Sequence, residues 1–105
     1  MRDDRLHALR DFVLSDPDDA LSRFMLGKEL LDRGKPAEAV PQLEAAIRLN
    51  PDHTASYRVL GQALEAADRR EDAMRVYRDG IAVAERTGDL QTGKEMKVFL
   101  KRLEK

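Results

Sequence analysis

A 34-residue echo constrains this chain more than any other feature. The stretch DPDDALSRFMLG at residues 16–27 is answered by NPDHTASYRVLG at residues 50–61. Beyond it, Leu26, Gly27, Leu30, Ala39 and Ile47 recur at the same offset as Leu60, Gly61, Leu64, Ala73 and Ile81, and Pro17 recurs as Pro51. A shared helical period alone would match apolar with apolar. It would not set Gly on Gly, Ala on Ala and Pro on Pro, so the chain is built on an internal repeat.

Turn signals divide the chain evenly: SDPDD at 15–19, DRGKP at 32–36, NPDH at 50–53, ADRRED at 67–72 and RTGD at 86–89. The stretches between them lack strand-like alternation and are rich in Ala, Leu, Glu, Arg and Lys, which favour helix. Six helices are expected, near 3–14, 18–33, 36–49, 53–67, 70–86 and 89–104. Asp16 and Asn50 are expected to cap helices that open on Pro17 and Pro51, with Asp18 and Asp52 at the positive end of the helix dipole. Gly34 suits a left-handed residue after a helix, and Asp68, at the equivalent point of the second unit, tolerates the same conformation less well.

Gly27 and Gly61 fall in mid-helix, where glycine costs about 1 kcal/mol relative to alanine. Close approach of a second helix offsets that cost, and Ala39 and Ala73 on the following helices fit such an approach. Each unit therefore reads as an antiparallel helix pair in which large and small residues interlock. Helix 3–14, with Leu6, Leu9, Phe12 and Val13, is expected to cover the first pair. The last helix, with Leu90, Met96, Phe99, Leu100 and Leu103 on one side and Lys94, Lys97, Lys101 and Arg102 over most of the rest, is expected to cap the other end.

The period and the Leu-Gly…Ala…Pro pattern resemble the tetratricopeptide repeat (TPR) family. The first repeat would span 20–53, with Leu26, Gly27, Leu30, Ala39, Leu43, Ala46 and Pro51 on signature positions. The second would span 54–87, with Tyr57, Leu60, Gly61, Leu64, Ala73, Tyr77 and Gly80. Residues 1–17 and 88–105 would be the capping helices. The segment YRDGIAVA at 77–84 is also similar to one found in small stand-alone bacterial TPR proteins. The chain departs from the pattern at Arg23, where an aromatic residue is usual, and at Glu85, where a proline is usual. The second departure predicts that the fifth helix runs on towards Gly88. The resemblance implies an all-α, right-handed α-solenoid of helix hairpins acting through protein–protein contact.

Composition narrows the function from the other side. A formal net charge of −1 and a pI near 6.1 give no attraction for nucleic acid or an anionic membrane. Without cysteine there is no disulfide framework, thiolate nucleophile or Cys-ligated metal. No segment approaches a membrane span and the N-terminus lacks a signal-peptide apolar run, so a cytoplasmic protein is expected. His7 and His53 are too few and too far apart in sequence to define a metal site. The acidic groups RDD and DPDD stand at helix starts, where capping explains them, and lack the ligand spacing of a calcium loop. No nucleophile elbow or phosphate loop is present. A non-catalytic protein without cofactor or metal is the expectation.

On the family pattern the first helices of successive repeats line a concave groove. Leu21, Phe24, Lys28 and Leu31 would face it from the first repeat, and Arg58, Gln62 and Glu65 from the second. The groove would be apolar on one side and polar or charged on the other, which suits a peptide or helix with hydrophobic anchors. The alternative is self-association through the same apolar stripe, giving a homo-oligomer. The carboxylate-clamp subtype, which grips chaperone C-termini with Lys and Asn, is not expected, because Phe24, Lys28 and Val59 occupy its positions.

Overall fold

The computed structural model describes residues 2–105, with side chains from Arg5 onward. Six helices follow one another: α1 (Arg2–Ser15), α2 (Ala20–Asp32), α3 (Pro36–Leu49), α4 (Thr54–Ala66), α5 (Arg70–Thr87) and α6 (Leu90–Leu103). The described residues contain no strand. Sequence-based helix bounds agree to within two residues throughout. The α5 helix runs 18 residues to Thr87 and ends at Gly88, at φ 82°, as the Glu85 departure predicts.

Each chain reversal has an identifiable hydrogen-bond device. After α2, the Gly34 N–H bonds to the Leu31 carbonyl and the Lys35 N–H to the Leu30 carbonyl, with Gly34 at φ 75°. The same pair of bonds follows α4, from Asp68 to Glu65 and from Arg69 to Leu64, with Asp68 at φ 65°. Both are Schellman closures, which satisfy the last helical carbonyls through one left-handed residue.

The expected roles of Asp16 and Asn50 are corrected. The Asp16 carbonyl accepts from the Asp19 N–H, and the Asn50 carbonyl from the His53 N–H, both at 3.2 Å. Pro17 and Pro51 therefore sit second in a β-turn, where their fixed φ is favoured, and not inside the helix. The N-caps are Asp19 and His53, both extended. Asp18 and Asp52 lie before the helix starts, and Asp52 forms an ion pair with Arg86 at 2.9 Å. The side chains of Asp3 and Asp4, in the RDD group, lie outside the described residues.

Within each hairpin a large side chain fills the space a glycine leaves. A methyl group at Gly27 would stand 2.5 Å from Leu43 Cγ, and one at Gly61 would overlap the Tyr77 ring. Leu43, Tyr77, Ala39 and Ala73 are all fully buried. Gly80 continues the pattern between units: it is closed in by Tyr57 Cβ and Met96 Sδ, which ties α5 to α4 and α6 together.

Two apolar residues lie outside the core they were expected to join. Leu6, Leu9 and Val13 are buried against α2, but Phe12 is 55% exposed, because it falls about 90° round the helix from the centre of that stripe. Leu90 is 69% exposed at the first position of α6, while Thr92, Gly93 and Met96 make the buried face instead. The α2 helix touches α4 and α4 touches α6, whereas the backbones of α1, α3 and α5 stand clear of one another. The array therefore curves, with α2, α4 and α6 on its inner face.

Candidate functional site in the concave face

The inner face is assembled from the first helix of each unit, so its chemistry follows from what α2, α4 and α6 place on their exposed sides. On α2, Leu21 is 58% exposed. Phe24 is half-buried and meets the ring of His53 edge-on, at 4.8 Å between centroids. Leu31 is half-buried and packs on the core. Lys28 is exposed and pairs with Asp32 one turn on, at 3.3 Å.

On α4 the matching positions are polar. Arg58 reaches Glu95 of α6 at 2.8 Å, a half-exposed bridge worth at most about 1 kcal/mol. Gln62 is exposed. The Glu65 carboxylate accepts a hydrogen bond from the Tyr77 hydroxyl. Burial pushes that hydroxyl well above the usual tyrosine range, and the Glu65 carboxylate adds to the shift. The Leu31–Leu43 positions of the first unit are thus Glu65–Tyr77 in the second, an apolar pair exchanged for a hydrogen-bonded one. Glu65 is committed to its own hairpin.

His53 is the residue that sequence reasoning left out of this face. It caps α4, stands edge-on to Phe24, and places Nδ1 2.7 Å from the buried Ser56 hydroxyl. Burial, with a smaller effect from the Arg58 charge, lowers its pKa below the ordinary histidine value. The available signal was its position one repeat after Asp19, at the start of the helix next to Phe24. Val59, at a carboxylate-clamp position, is 3% exposed and cannot contact a ligand from there. Thr54 donates to Asp89 across α4 and α6, and with the Thr92 contacts this holds the Asp89 carboxyl below the usual range.

Among the described residues no three His, Asp or Glu side chains converge as a cation would require, and no helix is long and apolar enough to cross a membrane. A second concavity lies on the back, between α1 and α3. It encloses about 400 Å³ over Leu26 and Leu30, with Val13, Leu14 and Pro41 on its sides and the Arg10–Glu38 pair at its rim.

Residues 24–89 match the family model described as tetratricopeptide repeat. The chain is 35% identical over 100 residues to the TPR repeat-containing protein PA0015 of Pseudomonas aeruginosa, covering 95% of each. Among solved structures it resembles protein BPP2914 of Bordetella parapertussis, with TM-score 0.82 and 32% identity over 94% of this chain and 86% of that one. It also resembles a tetratricopeptide repeat domain protein of Salinibacter ruber, with TM-score 0.76 and 30% identity over 85% of this chain and 90% of that one.

Proposed function

The chain belongs to the tetratricopeptide repeat family, whose domains generally mediate protein–protein interactions without catalysis, and on that premise we propose that its concave face holds a peptide or helix from a partner protein. The observation that carries the reading is the asymmetry of that face. An exposed Leu21 and the Phe24–His53 aromatic corner stand on one side, and Gln62 and the Arg58–Glu95 bridge on the other. An apolar anchor on the partner would lodge against Leu21 and Phe24, while polar groups on the same peptide would meet Lys28, Arg58 and Gln62. Leu31 and Glu65 support the face from below through their own hairpin contacts. The partner is a polypeptide and the protein works without cofactor, in the cytoplasm.

Selection from a displayed peptide library tests this. Selected peptides should carry a large apolar residue, lose at least tenfold in affinity for Leu21→Glu, and keep it for Glu44→Lys on the back of the array. Equal binding to Leu21→Glu would remove the groove from the reading. An association of copies through Leu21 would appear instead as a dimer that Leu21→Glu abolishes.

A further inference from the structure

We propose that copies of this chain associate head to tail, with α6 of one copy seated against the α1–α2 end of the next. The contacts that already join one unit to the next set the pattern. Counted from their N-caps, Phe24, Arg58 and Lys94 are each the fifth residue of α2, α4 and α6. Phe24 reaches the N-cap His53 of the next inner helix, and Arg58 reaches Glu95 of the next. Thr54, first in α4, reaches the N-cap Asp89. The corresponding residues of α6, Leu90 and Lys94, meet nothing: Leu90 is 69% exposed, and Lys94 has no ionic partner among the described residues.

The other end of the array is open in the complementary way. Val59, sixth in α4, is 3% exposed against the preceding unit, while Met25, sixth in α2, is only half-buried. Phe12 stands 34 residues before Ala46, which is 1% exposed, and 68 before the enclosed Gly80, yet is itself 55% exposed. The N-cap here is Asp19, while Glu29 is held by Arg5 and Arg33 and Asp32 by Lys28. One end therefore shows Leu90 and Val98 among Lys94 and Lys101, and the other shows Phe12 and Met25 with the Asp19 carboxylate at the N-cap.

Apolar residues face apolar residues and Lys94 faces Asp19 when one end is laid on the other. The contact series within the chain, Phe24 to His53 and Arg58 to Glu95, continues between copies as Lys94 to Asp19. Lys97 does not obstruct this, since it turns towards Glu85 of α5. Because the two surfaces differ, the contact is heterologous and does not close on itself, so growth is open-ended. Charge carries part of the contact, so salt weakens it. The concave face stays free and becomes longer with each copy added.

Sedimentation velocity of the full chain tests the proposal. At low salt the wild-type coefficient should rise with concentration without levelling at a dimer, and should fall towards the monomer in high salt. Phe12→Glu blocks one end and Lys94→Glu the other, so each variant alone should stay monomeric. Mixed, they should form a one-to-one pair that does not grow, because each still carries the end its partner lacks. Both side chains are exposed, and far-UV circular dichroism checks the folds. Should Phe12→Glu lose helix, Asp19→Asn, which keeps a good N-cap without the charge, replaces it. A wild type that stays monomeric at every concentration overturns the proposal, as does an association that stops at a dimer or a mixture that forms no pair.

Discussion

Arg23 Nε donates to the carbonyl of Pro17 at 3.0 Å, and one repeat later the Tyr57 hydroxyl donates to the carbonyl of Pro51 at 2.8 Å. The two side chains share no chemistry beyond a donor at the right reach, yet both tie the first turn of a helix back to the turn that precedes it. Arg23 adds a second bond, from Nη1 to Gln42 of α3 at 3.0 Å, whereas Tyr57 is buried and packs on Gly80 through its Cβ. Arg23→Ala should therefore cost about 1–2 kcal/mol, the usual loss for two part-exposed hydrogen bonds. Arg23→Tyr should recover part of it. Urea denaturation of the three proteins measures both differences.

The two left-handed turn residues should respond in opposite directions. Gly34 has nothing within 4 Å of where a methyl group would stand, so Gly34→Ala tests conformation alone and should cost about 1 kcal/mol. Asp68 holds the same kind of position at φ 65° with a Cβ that disfavours it. Asp68→Gly should therefore stabilise the protein by up to about 1 kcal/mol. Thermal melts of the pair decide it.

Gly61 differs from Gly34 because space and not φ is the limit. A methyl group there meets the ring of Tyr77, which is 0% exposed and cannot swing out. Overpacking of this kind costs roughly 1–3 kcal/mol, of which about 1 is returned by better helix propensity. Gly61→Ala should lower the urea midpoint. Combination with Tyr77→Leu should not restore the loss, because Leu43 at the same place in the first unit stands 2.5 Å from a methyl at Gly27 and a leucine leaves Glu65 without the Tyr77 hydroxyl.

His53 gives the fold a pH dependence with a defined sign. Its folded pKa lies below the ordinary value of 6.5, chiefly through burial. As pH falls below that value the unfolded chain takes up the proton first, so stability declines until the folded pKa is passed and then levels. The positive end of the α4 dipole opposes the charged form in the same direction. Stability measured by urea across this range should fall with acid in the wild type and flatten in His53→Asn, which suits the N-cap position and does not titrate.

The fold was legible because its repeat rests on backbone requirements that few residues meet. Gly34 and Asp68 could be placed in left-handed turns, and Gly27 and Gly61 at close helix contacts, from residue type and offset alone. What the sequence concealed was which atoms fulfil a role that another residue type fills elsewhere. Arg23 standing in for tyrosine, and Glu65–Tyr77 standing in for Leu31–Leu43, are visible only once the partners are seen. Phe12 and Leu90 read as core because an apolar residue near a helix stripe cannot be told from one on its edge. In the concave face, Lys28 and Gln62 read as exposed from their polarity, whereas an apolar Leu21 fitted a covered position as well as an open one. His53 was not, since its place depends on α2 and α4 meeting through Phe24.

On the proposed function, a partner peptide binds the inner face of α2 and α4. Titration of an isotope-labelled chain with a peptide selected on it, followed by amide chemical shifts, tests this most directly. Changes should concentrate at Leu21, Phe24, Lys28, His53 and Gln62, with the backs of α3 and α5 unmoved. Changes concentrated instead at Leu14, Glu38 and Pro41, around the cleft between α1 and α3, would contradict it.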